Sequence, residues 1–208
     1  AVETTTATAA HRGKRLAYVV VPVICLVLAL GAAYLKWLDS SVRMSDSARI
    51  ETIQVAKDVT TLTTAGKDGD MSDLIVNING SVLQEISART FNRVEIDVDN
   101  QIRLLDAKLD FRSSRFTVGE APSIRIGRSI QSSKIAVAGP ISDLTVTDGI
   151  VNTDIASTGP NGRIAKITAK NLISGSVFAT GPIDTIESKA GDVRLNVTTT
   201  GANSNVKL

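Results

Sequence analysis

GPISDLTVTDGIVNTDIAST (139–158), GPNGRIAKITAKNLISGSVFAT (159–180) and GPIDTIESKAGDVRLNVTTT (181–200) are three versions of one line, and Gly201 opens a fourth. The repeat lengths are 20, 22 and 20 residues. Apolar residues fall in clusters between the Gly-Pro pairs: Leu144 and Val146, Ile150 and Val151, Ile155; then Ile164 and Ile167, Leu172 and Ile173, Val177; then Ile183 and Ile186, Val193, Leu195 and Val197. A period near 20 marks a solenoid. Short β-branched runs between Gly, Pro, Asn, Asp and Ser turns make each cluster a strand. The expected fold is therefore mainly β: a parallel β-helix with three short strands per coil, each stacked on its counterpart one coil away.

The pattern extends upstream. Ile102 and Leu104, Leu109 and Phe111, Phe116 and Val118 repeat the layout, as do Ile124 and Ile126, Ile130, Ile135 and Val137. Val82, Ile86, Phe91, Val94 and Ile96 repeat it less regularly. This predicts a β-solenoid over 79–208 of about six coils, roughly 29 Å long at about 4.8 Å per coil.

The N-terminal part has another character. Residues 1–15 are rich in Thr and Ala and end in His11, Arg12, Lys14 and Arg15, which predicts a disordered basic tail. Leu16 to Leu35 is an uncharged run of 20 residues, long enough to cross a bilayer as a helix. Tyr18 lies near one end, and Tyr34 with Trp37 at the other, where interfacial aromatics belong. The expectation is a transmembrane helix over 16–38; a signal peptide cleaved near Ala29, Gly31 or Ala33 is the alternative. The basic cluster before the run places the tail in the cytoplasm and the rest outside the cell membrane. From Asp39 to about Thr64 no Gly or Pro intervenes, and Met44, Ala48, Val55, Val59 and Leu62 share one helical stripe. That predicts a juxtamembrane helix over 39–65, followed by a polar linker over 66–78 that holds Gly66 and Gly69.

Ala-Ala-Tyr-Leu-Lys-Trp-Leu-Asp-Ser-Ser-Val-Arg (32–43) and Ala-Arg-Ile-Glu-Thr-Ile-Gln-Val-Ala-Lys-Asp-Val-Thr (48–60) resemble the membrane anchor and first helix of the Mce-associated membrane proteins of mycobacteria and related actinobacteria. The resemblance covers about residues 16–64. It implies an accessory role beside lipid importers of the cell envelope, with an envelope transport complex as candidate partner. That family follows its helix with a compact α+β domain; this chain instead enters the repeats.

Composition narrows the chemistry. The net charge of +2 lacks the basic footprint of a nucleic-acid binder. One cysteine, Cys25, and one histidine, His11, leave no disulfide framework, no Cys/His zinc cluster and no Ser-His or Cys-His nucleophile in the repeats. No cofactor is expected. Glu95, Asp97 and Asp99 alternate and so share one strand face. They read as a cation or acid/base site, or as the solvated face of a strand whose inward side is Val94, Ile96 and Val98. Asn152-Thr153-Asp154 is similar to a segment of polygalacturonases, which are β-helices as well, but the histidine of that site has no counterpart here. Between Arg103 and Lys134 seven basic residues meet three acids. Arg112, Arg115, Arg125, Arg128 and Lys134 form the candidate band for an anionic partner.

These readings add up to a membrane-anchored, non-enzymatic envelope accessory or scaffold. The alternative is a surface enzyme acting on polysaccharide through Glu95, Asp97 or Asp154. Gly201 to Leu208 offers only Lys207 to protect the last coil, which predicts self-association through that coil or continuation in a longer chain.

Overall fold

Residues 41–44, 51–64, 69–121 and 123–200 are those described by the computed structural model, and their regular structure is parallel β-sheet. One sheet stacks β1 (Ser41–Met44), β3 (Val59–Thr64), β5 (Val82–Ala88), the second half of β6 (Phe91–Ala107), β9 (Ser123–Ile126), β12 (Asp143–Val146), β14 (Ile164–Ala169) and β16 (Ile183–Ser188). The other stacks β2 (Glu51–Val55), β4 (Met71–Ile78), the first half of β6, the split pairs β7 (Phe111–Arg112) with β8 (Arg115–Glu120) and β10 (Ile130–Gln131) with β11 (Lys134–Val137), then β13 (Ile150–Ser157), β15 (Ile173–Ala179) and β17 (Val193–Thr199). The described chain is thus a parallel β-solenoid of eight rungs separated by seven turns, with coils of about 20 residues.

The periodic residues form the core because each stacks on its own kind. In the first sheet Leu62, Ile86, Leu105, Ile124, Leu144, Ile167 and Ile186 make one buried column. In the second, Val76, Ile96, Phe116, Ile135, Ile155 and Val177 make another. A third runs through Met71, Phe91, Phe111, Ile130, Ile150 and Ile173. Within it the rings of Phe91 and Phe111 lie 5.5 Å apart, tilted by 50°. No single coil encloses these side chains, so burial and rung stacking are one cooperative event. The Gly-Pro repeat marks a corner where coils press together: a Cβ on Gly159 would sit 1.5 Å from the Ala138 carbonyl oxygen.

Several expectations are corrected. The helix over 39–65, which the family resemblance also implied, is replaced in its described residues by β1, β2 and β3. The linker over 66–78 contains β4, so the solenoid includes rungs well before residue 79. Three separate strands per coil occur where β7–β9 and β10–β12 lie; in the other coils neighbouring segments fuse. Leu109 and Val151, grouped with the core by sequence, are more than a third exposed. The tail over 1–15, the span over 16–38 and the end at 201–208 lie outside the described residues. Among the described ones, no helix is long and apolar enough to cross a membrane.

Candidate functional site

In five successive rungs the second sheet bends at one residue with positive φ: Asp73 (55°), Arg93 (55°), Ser113 (47°), Ser132 (47°) and Asn152 (50°); the next rung is one residue shorter there, and its Gly175 (126°) lies opposite Thr153. None of the five is glycine, and a column of such residues is uncommon. The bend takes the following residue's amide out of the regular ladder, and a hydroxyl from the next rung meets it. Val94 N–H donates to Ser114 Oγ at 3.1 Å, and Ser114 N–H to Ser133 Oγ at 3.2 Å. Each serine hydroxyl in turn donates to the carbonyl two residues back, Arg112 at 2.6 Å and Gln131 at 2.7 Å. Thr153 does the same to Val151 at 3.0 Å. The buried hydroxyls of Ser114, Ser133 and Thr153 therefore hold the corner open as a fixed angle.

Outside this corner runs a groove of about 680 Å³. Its floor is Leu74, Val94, Ser114 and Ser133. One wall is the bent column, Asp73, Arg93, Ser113, Ser132 and Asn152; the other is Ile75, Glu95, Arg115, Lys134 and Asp154, one residue from each of five rungs. Arg93 grips Asp73 through two bonds of 2.5 and 2.6 Å, and these hold the Asp73 carboxyl below its ordinary range. Arg115 Nη1 lies 3.2 Å from Glu95 Oε1. Asp154 accepts a hydrogen bond from Ser176. Lys134 has no ion-pair partner among the described residues.

No protein-family model, curated protein or solved structure matches this chain.

The five basic residues singled out by sequence do not share one face. Arg115 and Lys134 meet as direct partners on adjacent rungs in the groove. Arg112 and Arg128 converge elsewhere, on the buried carboxylate of Asp110: Arg112 Nη2 at 2.8 Å, Arg128 Nε at 2.9 Å, and a further bond from Arg128 Nη2. Ser129 adds its hydroxyl at 2.8 Å and its amide at 3.3 Å. Burial alone would raise the Asp110 carboxyl, but the bonds from Arg128 and Ser129 and the charges of Arg112 and Arg128 outweigh it and hold it below its ordinary value. Arg125 lies in the other sheet, in register between Asp106 and Thr145. It lines a shallow hollow of about 310 Å³ with Arg103 and Glu85.

The acidic candidates separate too. Val94, Ile96 and Val98 are buried while Asp97 and Asp99 are exposed, the arrangement of a solvated strand face. Glu95 joins the groove, and Asp99 lines a different hollow beside Asn100 and Glu120. Among the described residues no group of three His, Cys, Asp or Glu is placed to hold a metal ion. Asn152, Thr153 and Asp154 are explained by the corner: bent residue, buried hydroxyl cap, groove wall.

The groove was not read from the sequence, yet a signal existed. Phe111-Arg-Ser-Ser-Arg, Ile130-Gln-Ser-Ser-Lys and Ile150-Val-Asn-Thr-Asp place an Asx or Ser residue and then a hydroxyl residue two and three positions after a core residue, in coil after coil.

Proposed function

We propose that this chain is a non-enzymatic scaffold of the cell envelope, anchored in the membrane through residues 16–38 with its solenoid on the outside. The observation that carries the scaffold reading is how the solenoid uses its charges. Asp70 with Arg89, Asp73 with Arg93, Glu95 with Arg115, Asp110 with Arg128, Arg163 with Asp184 and Lys166 with Glu187 each join one rung to the next. Such pairs fix register and keep the rod wet and soluble; exposed ones add little to stability. Glu95 and Asp154, the acids an enzyme would draw on, are engaged by Arg115 and Ser176. The anchor rests on the apolar run and its flanking charges, and the neighbourhood of lipid importers on the resemblance of 16–64.

Protease treatment of intact spheroplasts tests the placement. The expected result is removal of the solenoid with survival of the tail and span. A protected solenoid would reverse the topology, and a mature chain starting near Ala32 would make the protein secreted. Changing Glu95, Asp97 and Asp154 to Ala tests the role. Turnover of an envelope glycan that disappears in these variants would replace the scaffold with an enzyme. Co-purification without any lipid-transport component would remove the importers as neighbours and leave the scaffold.

A further inference from the structure

We infer that the groove holds an extended acidic glycan in which charged sugars are separated by neutral ones, one uronate carboxylate sitting between Arg115 and Lys134. The inference deepens the scaffold reading, since it names what the outer face holds.

One pairing in the stack departs from the rest. Ion pairs between rungs join opposite charges throughout the described stack, but Arg115 and Lys134 are direct register partners of like sign. Like charges facing each other across strands destabilise a sheet unless an anion lies between them. Arg115 Nη1 already meets Glu95 at 3.2 Å, so a carboxylate between the two cations would take one hydrogen bond from the remaining guanidinium N–H groups and one from the Lys134 ammonium. One rung to either side stand Glu95 and Asp154, in register with Arg115 and Lys134 respectively. Along this wall the charges run minus, plus, plus, minus. A second carboxylate on the next sugar would face an acid, so the pattern selects a chain whose charges are spaced out.

The opposite wall supplies what neutral sugars need. Ser113, Ser132 and Asn152 present one hydroxyl or amide per rung, at about 4.8 Å intervals. Their positive φ fixes where these groups point, and backbone in such conformations concentrates at binding sites. Four rung steps make the groove about 19 Å long, enough for a straight chain of several sugars. No aromatic ring lines it, so it lacks the stacking platform of a single-stranded nucleic-acid site.

The test uses the full 208-residue chain in mild detergent and three hexasaccharides. These are a hyaluronan oligomer (alternating uronate and N-acetylhexosamine), an oligogalacturonate (every sugar acidic) and chitohexaose (neutral). Titration calorimetry should find the hyaluronan oligomer the tightest of the three. Lys134→Gln and Arg115→Gln should each weaken it by about three- to tenfold with an unchanged circular dichroism spectrum, the loss expected for a half-exposed charged hydrogen bond. No binding of the hyaluronan oligomer, binding by both variants as tight as that of the unaltered chain, or tighter binding of oligogalacturonate would overturn the inference. So would Lys134-dependent retention of phosphatidylglycerol vesicles in place of the glycan, which would assign the groove to a membrane surface. Cleavage of the bound hexasaccharide would overturn the scaffold reading and leave the groove assignment standing.

Discussion

Replacing Asp110 with Asn probes the most heavily used charge in the described solenoid. The carboxylate is 1% exposed and accepts from Arg128, Arg112 and Ser129. Asparagine keeps the shape and one acceptor oxygen, but it removes the charge and points an amide at two guanidinium groups. Breaking a buried ion pair by removing one partner costs about 3–5 kcal/mol. Here the two arginine side chains are 43% and 51% exposed and can turn back into water, which lowers the cost. Arg112 Nε, buried without a partner, gains nothing from the change. The expected loss is therefore about 2–3 kcal/mol, read from the urea midpoint and slope by far-ultraviolet circular dichroism. The pH dependence gives an independent check. Because the folded carboxyl lies below its unfolded value, its contribution is present above the unfolded pKa and disappears as pH falls through the folded one. Asp110→Asn should therefore flatten the acid side of the stability profile. A loss below about 0.5 kcal/mol with an unaltered acid limb would refute this account of the Asp110 cluster.

Two further perturbations address the corner. Gly175→Ala forces a φ of 126° on a residue with a Cβ, which would also lie 2.1 Å from the Thr153 carbonyl oxygen. The midpoint temperature should fall by several degrees, about 2–4 °C per kcal/mol for a chain of this size, and an unchanged value would mean that the backbone there is relaxed. Ser133→Ala removes the hydroxyl that meets the Ser114 amide and should cost about 1–3 kcal/mol through that unsatisfied buried donor. Ser132→Ala, one position earlier and exposed, is the matched control and should change nothing measurable.

The same corner explains what the sequence did and did not disclose. The Gly-Pro period and the β-branched clusters are direct consequences of coil stacking, so the solenoid was legible from Val82 to Val197, least regularly at its start. Toward that start the inward residues do not alternate strictly. The bent residue inserts a step in each rung, so core residues sit three apart, as in Met71 and Leu74 or Phe91 and Val94. In the other sheet the inward residues are likewise set more than two apart, Val59 and Leu62 by three and Val82 and Ile86 by four, because β5 carries one residue more than β3 and β6 there. Val59 and Leu62 are then spaced as on a helix although both lie inward on a strand. That is why 39–65 carried a helical stripe. The anionic band failed as a single surface for a related reason. Residues near in sequence fall on two sheets and a corner: Arg115 and Lys134, 19 residues apart, lie side by side in the groove, while Arg112 and Arg128 meet on Asp110.

The described segments, including those that read as helix and linker, are successive rungs of one stack. Disulfide formation between Gln54→Cys and Asn77→Cys, with Cys25 changed to Ser, tests this most directly. The two positions are register partners on β2 and β4, within the usual 4.4–6.8 Å Cα separation of a disulfide. Gln54→Cys with Asp97→Cys spans two rungs, about 10 Å, and lies out of reach. The first pair should oxidise to completion with no change in the β-sheet spectrum, while the second stays reduced. Failure of the first pair to close, or equal closure of both, would contradict the stacking.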